Sequence, residues 1–126
     1  MVAFEREIYM NTRKTGTEYE VLAEQYLKKQ GINIIEKNYQ NRAGEIDLIG
    51  RDQEYLIFFE VKYRKNQKTG NPAEAVTYQK QKKICRVADY YRLTHGIGEF
   101  SAIRYDVVAI CGEEIAWHQN AFSHIY

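Results

Sequence analysis

Apolar positions along the chain repeat with two periods. Tyr19, Leu22, Ala23, Tyr26 and Leu27 recur at i, i+3, i+4, i+7 and i+8, one stripe of an amphipathic helix. That helix is expected to start near Thr15-Gly16-Thr17 and to run to about Gln30, with Gly31 as its stop. Ile32-Asn33-Ile34-Ile35 opens a strand reaching towards Tyr39, and 40–44 is a turn. Gly44-Glu45-Ile46-Asp47-Leu48-Ile49 and Phe58-Phe59-Glu60-Val61-Lys62-Tyr63-Arg64 then alternate with period two, and the short polar run 50–54 joins them as a hairpin. Asn66 to Asn71 reads as a polar loop. A second helix is expected from the cap Asn71-Pro72-Ala73-Glu74 to about Leu93, with Val76, Ile84, Val87, Ala88 and Tyr91 as its stripe. Lys80 falls on that stripe. It either snorkels to solvent or faces the charged hairpin. Ile103–Ile110 and Glu114–His118 read as two more strands, and Phe122 and Ile125, three apart, suggest a short helical turn at the end.

The hairpin carries the candidate chemistry. Residues two apart on a strand share a face, so Glu60 and Lys62 point the same way as Leu56 and Phe58. A register that brings Asp47 opposite or diagonal to Glu60 places two carboxylates together with a lysine beside them. Like charges across a strand pair repel. A hard divalent cation resolves that conflict, and a lysine near it could orient an attacking water, a constellation suited to phosphodiester hydrolysis. The plainer reading is a solvated edge with surface ion pairs. Glu20 lies at the border of the first helical stripe, nearer the sheet than Glu18 or Glu24, within reach of such a site.

Size and charge narrow the setting. At 126 residues the chain supports one core, expected over 15–126, with 1–14 as a loosely docked leader. Its two cysteines, Cys85 and Cys111, lack CxxC spacing and suggest buried thiols in a reducing compartment. The charged N-terminus lacks the apolar run of a signal peptide, and no stretch approaches a membrane span, so the cytoplasm is the expected location. Net charge is +1, yet Lys62 to Arg92 holds nine basic residues against two acidic ones and carries +7, leaving −6 elsewhere. That zone suits a phosphate backbone or one solvated helix face. His118 and His124 are expected at surface or edge positions.

The order α-β-β-β-α-β-β, with Asp47 and Glu60-Val61-Lys62 on the second and third strands, resembles the PD-(D/E)XK nuclease superfamily. Gly16…Glu20…Ala23…Tyr26-Leu27, Asn38, Gly44–Ile49, Phe59-Glu60-Val61-Lys62 with Arg64, Glu74-Ala75-Val76…Lys80 and Arg104–Val108 are similar to the YraN-type family of small bacterial proteins, whose members are expected to be endonucleases. The resemblance implies an α/β fold with a restriction-endonuclease-like core, a mixed sheet flanked by helices. It implies Asp47 and Glu60 as ligands of Mg²⁺ or Mn²⁺ with the Val61 carbonyl as a third, Lys62 as catalytic lysine and Glu20 as the helix glutamate. Arg64, Lys65, Lys68 and Lys80 become candidate phosphate contacts. Two positions depart from the pattern: Ile46 stands where the superfamily has proline before its aspartate, and Tyr19 where the family usually has glycine.

The implied activity is metal-dependent cleavage of DNA, including branched or structured DNA, with a homodimer as a plausible assembly. A nucleic-acid- or protein-binding module on the same fold, or an RNA-directed nuclease, are the competing readings.

Overall fold

The computed structural model describes residues 16–64, 76–98 and 101–126. They form α1 (Gly16–Lys29), β1 (Asn33–Asn41), β2 (Gly44–Arg51), β3 (Leu56–Tyr63), α2 (Tyr78–Thr94), β4 (Ile103–Cys111) and β5 (Glu114–Phe122). The strands make one mixed sheet in the order β1-β2-β3-β4-β5. All neighbours are antiparallel except β3 and β4, which run parallel with α2 in the connection between them. This is the element order expected from the residue pattern and the mixed, helix-flanked sheet that the resemblance implies.

Both helices end for local reasons. After α1, the Gly31 and Ile32 amides donate to the Lys28 and Leu27 carbonyls, and Gly31 adopts φ 92°, a turn that glycine enters without a Cβ clash. After α2, the Gly96 and Ile97 amides donate to Leu93 and Arg92 in the same pattern. α2 begins later than its sequence suggested. Thr77 is extended, and its side chain accepts a hydrogen bond from the Lys80 amide, so the first helical residue is Tyr78. The expected cap at Asn71–Glu74 lies outside the described residues. At the other end of the chain, β5 continues to Phe122 in place of the expected helical turn. Its pairing with β4, Tyr105 opposite Phe122, supplies the backbone partners that a helical turn would have had to find locally.

The helices cover opposite faces of the sheet. Tyr19, Ala23 and Leu27 of α1 pack with Leu48, Ile57, Phe59 and Val108. Ile84, Val87, Ala88 and Tyr91 of α2 pack with Ile46, Ile49, Phe58 and Tyr105. Phe58 and Phe59 are both 1% exposed, on opposite faces of one central strand, and each such burial is worth about 1.5–3 kcal/mol. Gly50 marks a close approach: a Cβ there would lie 2.8 Å from Ile32 Cγ2.

Among the described residues, no helix is long and apolar enough to cross a membrane. Cys85 is buried and Cys111 half-buried, and both are free thiols. His124 is not a surface residue: its ring is 13% exposed and its Nδ1 lies 2.6 Å from the Tyr105 hydroxyl.

Candidate active site

The site forms where β2 parts from β3. Their ladder ends at Leu48 opposite Phe59, so Asp47 and Glu60 are the first residues beyond the last pair. Asp47 bridges the opening, its Oδ2 accepting a hydrogen bond of 2.8 Å from the Val61 amide. On the other side of β2 the alternation also breaks. Ile46 packs in the α2 cluster and Leu48 in the α1 cluster, although residues two apart in a regular strand share a face. The β1 residue in register with Asp47 is Asn38, which is omitted from the ladder and adopts φ 51°. Asparagine tolerates this left-handed geometry better than most side chains.

Three carboxylates meet at this break. Oxygens of Glu20, Glu45 and Asp47 all lie within 4.8 Å of one another. Glu20 comes from α1, and its carboxyl faces Asp47 and the Asn38 side chain, which pull its protonation in opposite directions. Its Oε2 is buried without a hydrogen-bond partner. Burial first, and then the Asp47 charge, push the Glu20 carboxyl up to about 7. Asp47 is also raised, mainly by burial. Glu45 is exposed, and its Oε2 accepts a 2.8 Å hydrogen bond from Gln40.

Glu60 faces the α2 side and is 5% exposed. Burial and the Asp47 charge raise it to about 7, and Lys80 and Lys62 oppose that rise. Lys80 Nζ sits 3.2 Å from Glu60 Oε1, and Lys62 Nζ 3.8 Å from the same oxygen. The lysine of the α2 stripe thus turns to the charged hairpin. Asp47 feels Lys80 as well.

Of the residues singled out in the sequence, Glu20, Asp47, Glu60, Val61, Lys62 and Lys80 converge here. Two differences concern the ligand set: the tight carboxylate group is Glu20–Glu45–Asp47, and the contact made by Val61 is its N–H to Asp47. Arg64 follows β3, with its amide on the Ile110 carbonyl and its charge felt by His118 of β5. Lys65 and Lys68 lie outside the described residues. Tyr19 does not turn Glu20 away, because it packs into the α1 cluster one residue before it. Glu24, expected farther from the sheet than Glu20, is 8% exposed and paired with Lys28 at 3.0 Å and Lys37 at 3.4 Å. It lies one turn beyond Glu20 on the same helix face, which the stripe alone did not weigh.

Glu45 and Asn38 are the site residues that the alternation pattern missed. Glu45 sits in the same Gly44–Ile49 run as Asp47, yet regular alternation places it on Asp47's face only by a count of two, at the frayed end of the hairpin. Nothing in a strand pattern marks Asn38 as a left-handed residue.

An α/β domain with an acid-and-lysine cluster at a strand divergence is the class that fold and site define. The model of uncharacterised protein family UPF0102 matches residues 19–110, and the chain belongs to that family, in keeping with the YraN-type resemblance. It is 45% identical over 113 residues to a UPF0102 protein of Lachnoclostridium phytofermentans, covering 90% of this chain and 96% of the relative. UPF0102 proteins of Aliivibrio fischeri and Fusobacterium nucleatum are each 42% identical, over 88% of this chain and 93% and 92% of theirs.

Proposed function

We propose that this chain is a divalent-metal-dependent endonuclease acting on DNA. The observation that carries the reading is the crowding of Glu20, Glu45 and Asp47 within 4.8 Å, with Glu20 Oε2 buried and unpaired. Three oxygen donors of like charge, one without a partner, fit a hard cation such as Mg²⁺ or Mn²⁺. Asp47 and Glu20 would hold it, with Glu45 and Glu60 at the periphery. Such an ion supplies Lewis acidity to a phosphodiester and lowers the pKa of a bound water.

The chain's own groups then divide the work. The Val61 amide fixes Asp47 in one orientation. Asn38 lies beside Glu20 and favours its ionised form. Lys62, 32% exposed and only loosely paired with Glu60, is the cation best placed to orient a nucleophile or meet the charge that develops on phosphorus. Lys80 holds Glu60 and lends positive charge to the α2 side of the cleft. The basic segment from Lys62 to Arg92 suits a phosphate backbone.

The test is cleavage of labelled single-stranded, duplex, flap and four-way-junction DNA, and of RNA, with Mg²⁺ or Mn²⁺ against EDTA. Cleavage should require the metal and fall by at least about 100-fold in Asp47→Ala and in Lys62→Ala. Wild type and variants behaving alike on every substrate would overturn the reading. Binding of nucleic acid without turnover would replace it with a binding module.

A further inference from the structure

Beside the acid cluster stands an aromatic pair that the proposed reaction does not use. Tyr63 ends β3 and is 43% exposed, while Tyr19 beneath it is 8% exposed. Their rings stack in parallel, 4.6 Å between centroids and 21° between planes. One face of Tyr63 is therefore held against a buried ring, and the exposure lies on the remainder. Exposed Tyr78 differs, with the Lys82 ammonium 5.7 Å from its ring centroid.

Both tyrosines are tied by the backbone to the residues that meet at the site. Tyr63 is two residues beyond Val61 on the same strand face, about 6.6 Å further along. Val61 donates to Asp47. Tyr19 directly precedes Glu20, whose carboxylate lies within 4.8 Å of those of Asp47 and Glu45. A strand with a phosphate at the carboxylates would bring the adjoining nucleotide over this pair.

We propose that Tyr63, braced by Tyr19, is a stacking platform for an unpaired base next to the phosphate engaged by the acid cluster. The proposal rests on the nucleic-acid reading above and names the substrate class: a strand whose base is free to leave a duplex stack, as in single strands, flaps and junctions. A duplex keeps its bases stacked on one another and offers the tyrosine no open π-face. A ring already ordered by Tyr19 also loses little rotamer freedom on binding.

The experiment uses the full chain with Ca²⁺ in place of Mg²⁺ or Mn²⁺, so that a hard cation bridges carboxylates and phosphate while binding is read without turnover. The probe is a single-stranded oligodeoxynucleotide carrying one 2-aminopurine, moved along the sequence in successive versions, with the matching duplex alongside. Wild type and Tyr63→Phe should quench 2-aminopurine at a defined position. Tyr63→Leu keeps Tyr19 covered but has no π-face. It should lose the quenching and bind the single strand about tenfold more weakly, with duplex affinity changed less than twofold. Quenching by Tyr63→Leu equal to wild type, or none by any form, would overturn the platform. Metal-dependent cleavage is measured on the same preparations. Cleavage with no role for Tyr63 removes the platform and leaves the nuclease. Quenching without cleavage keeps the platform and removes the nuclease.

Discussion

Asp106 on β4 and Asp47 on β2 are both carboxylates drawn into the same sheet, and their surroundings differ in kind. Asp106 is 1% exposed and fully partnered. Arg104 grips it with two hydrogen bonds of 2.9 Å, the Trp117 indole donates at 2.9 Å and the Asn120 amide at 2.8 Å. Arg104 is in turn 3.6 Å from Asp52, whose own side chain closes the β2–β3 turn, and lies over the Tyr55 ring. Asp47 has one backbone donor and is surrounded by Glu20, Glu45 and Glu60. The first arrangement spends its charge on fixing β4, β5 and the β2–β3 turn together. The second leaves negative charge in excess, at a cost in stability that a pure scaffold would shed. The proposed cation would relieve that excess of like charge at the strand divergence.

The sharpest way to break the contrast is to cut the Asp106 network. Asp106→Ala leaves the Arg104 guanidinium buried without its partner, and urea unfolding should show a loss of about 3–5 kcal/mol. A loss below about 1 kcal/mol would mean that the network is not the lock described. Asp47→Asn should move the other way. It keeps an acceptor for the Val61 amide and removes a charge from the cluster, so the metal-free protein should gain of order 1 kcal/mol at pH 8. The same variant should lose the rise in melting temperature that Mn²⁺ gives the wild type.

pH separates the two regions as well. In the fold, Glu20 and Glu60 keep their protons up to about 7, against an ordinary value of 4.5. The native state therefore binds more protons than the unfolded chain between these values, and metal-free stability should fall as pH rises from about 4.5 to about 7. Unfolding of wild type across that range, compared with Asp47→Asn, checks this: the decline should be shallower in the variant. Mn²⁺ competes with those protons, so its affinity should rise over the same window.

The smallest effect concerns Asn38. Asn38→Ala should cost about 1 kcal/mol because of its left-handed backbone, φ 51°. Asn38→Gly should restore the stability without restoring the side chain that favours ionised Glu20, and thermal unfolding of both variants separates the two roles.

Much of this arrangement was legible in the chain because it follows from periodicity. Alternation gave the hairpin and put Glu60 and Lys62 on one face, and the helical stripe brought Glu20 to the sheet. The rest depends on where regularity fails. Ile46 and Leu48 lie on opposite faces, Asn38 is left-handed, and the Asp47–Glu60 pair falls just past the last ladder rung. A period cannot report its own interruption, so alternation did not mark Glu45, and Asn38 entered only through the family resemblance. The Tyr105–His124 contact is settled by tertiary partners in the same way. Asp106 reads as one more polar residue in a strand until Arg104, two positions earlier on the same face, is seen to fold over it.

The most direct test of the account is calorimetric titration of Mn²⁺ into wild type and Asp47→Asn at pH 7.5, in two buffers of different ionisation enthalpy. The account predicts saturable binding in the wild type with protons released from the raised carboxyls, and neither in Asp47→Asn. Equal binding by both proteins, or none by the wild type, would contradict it.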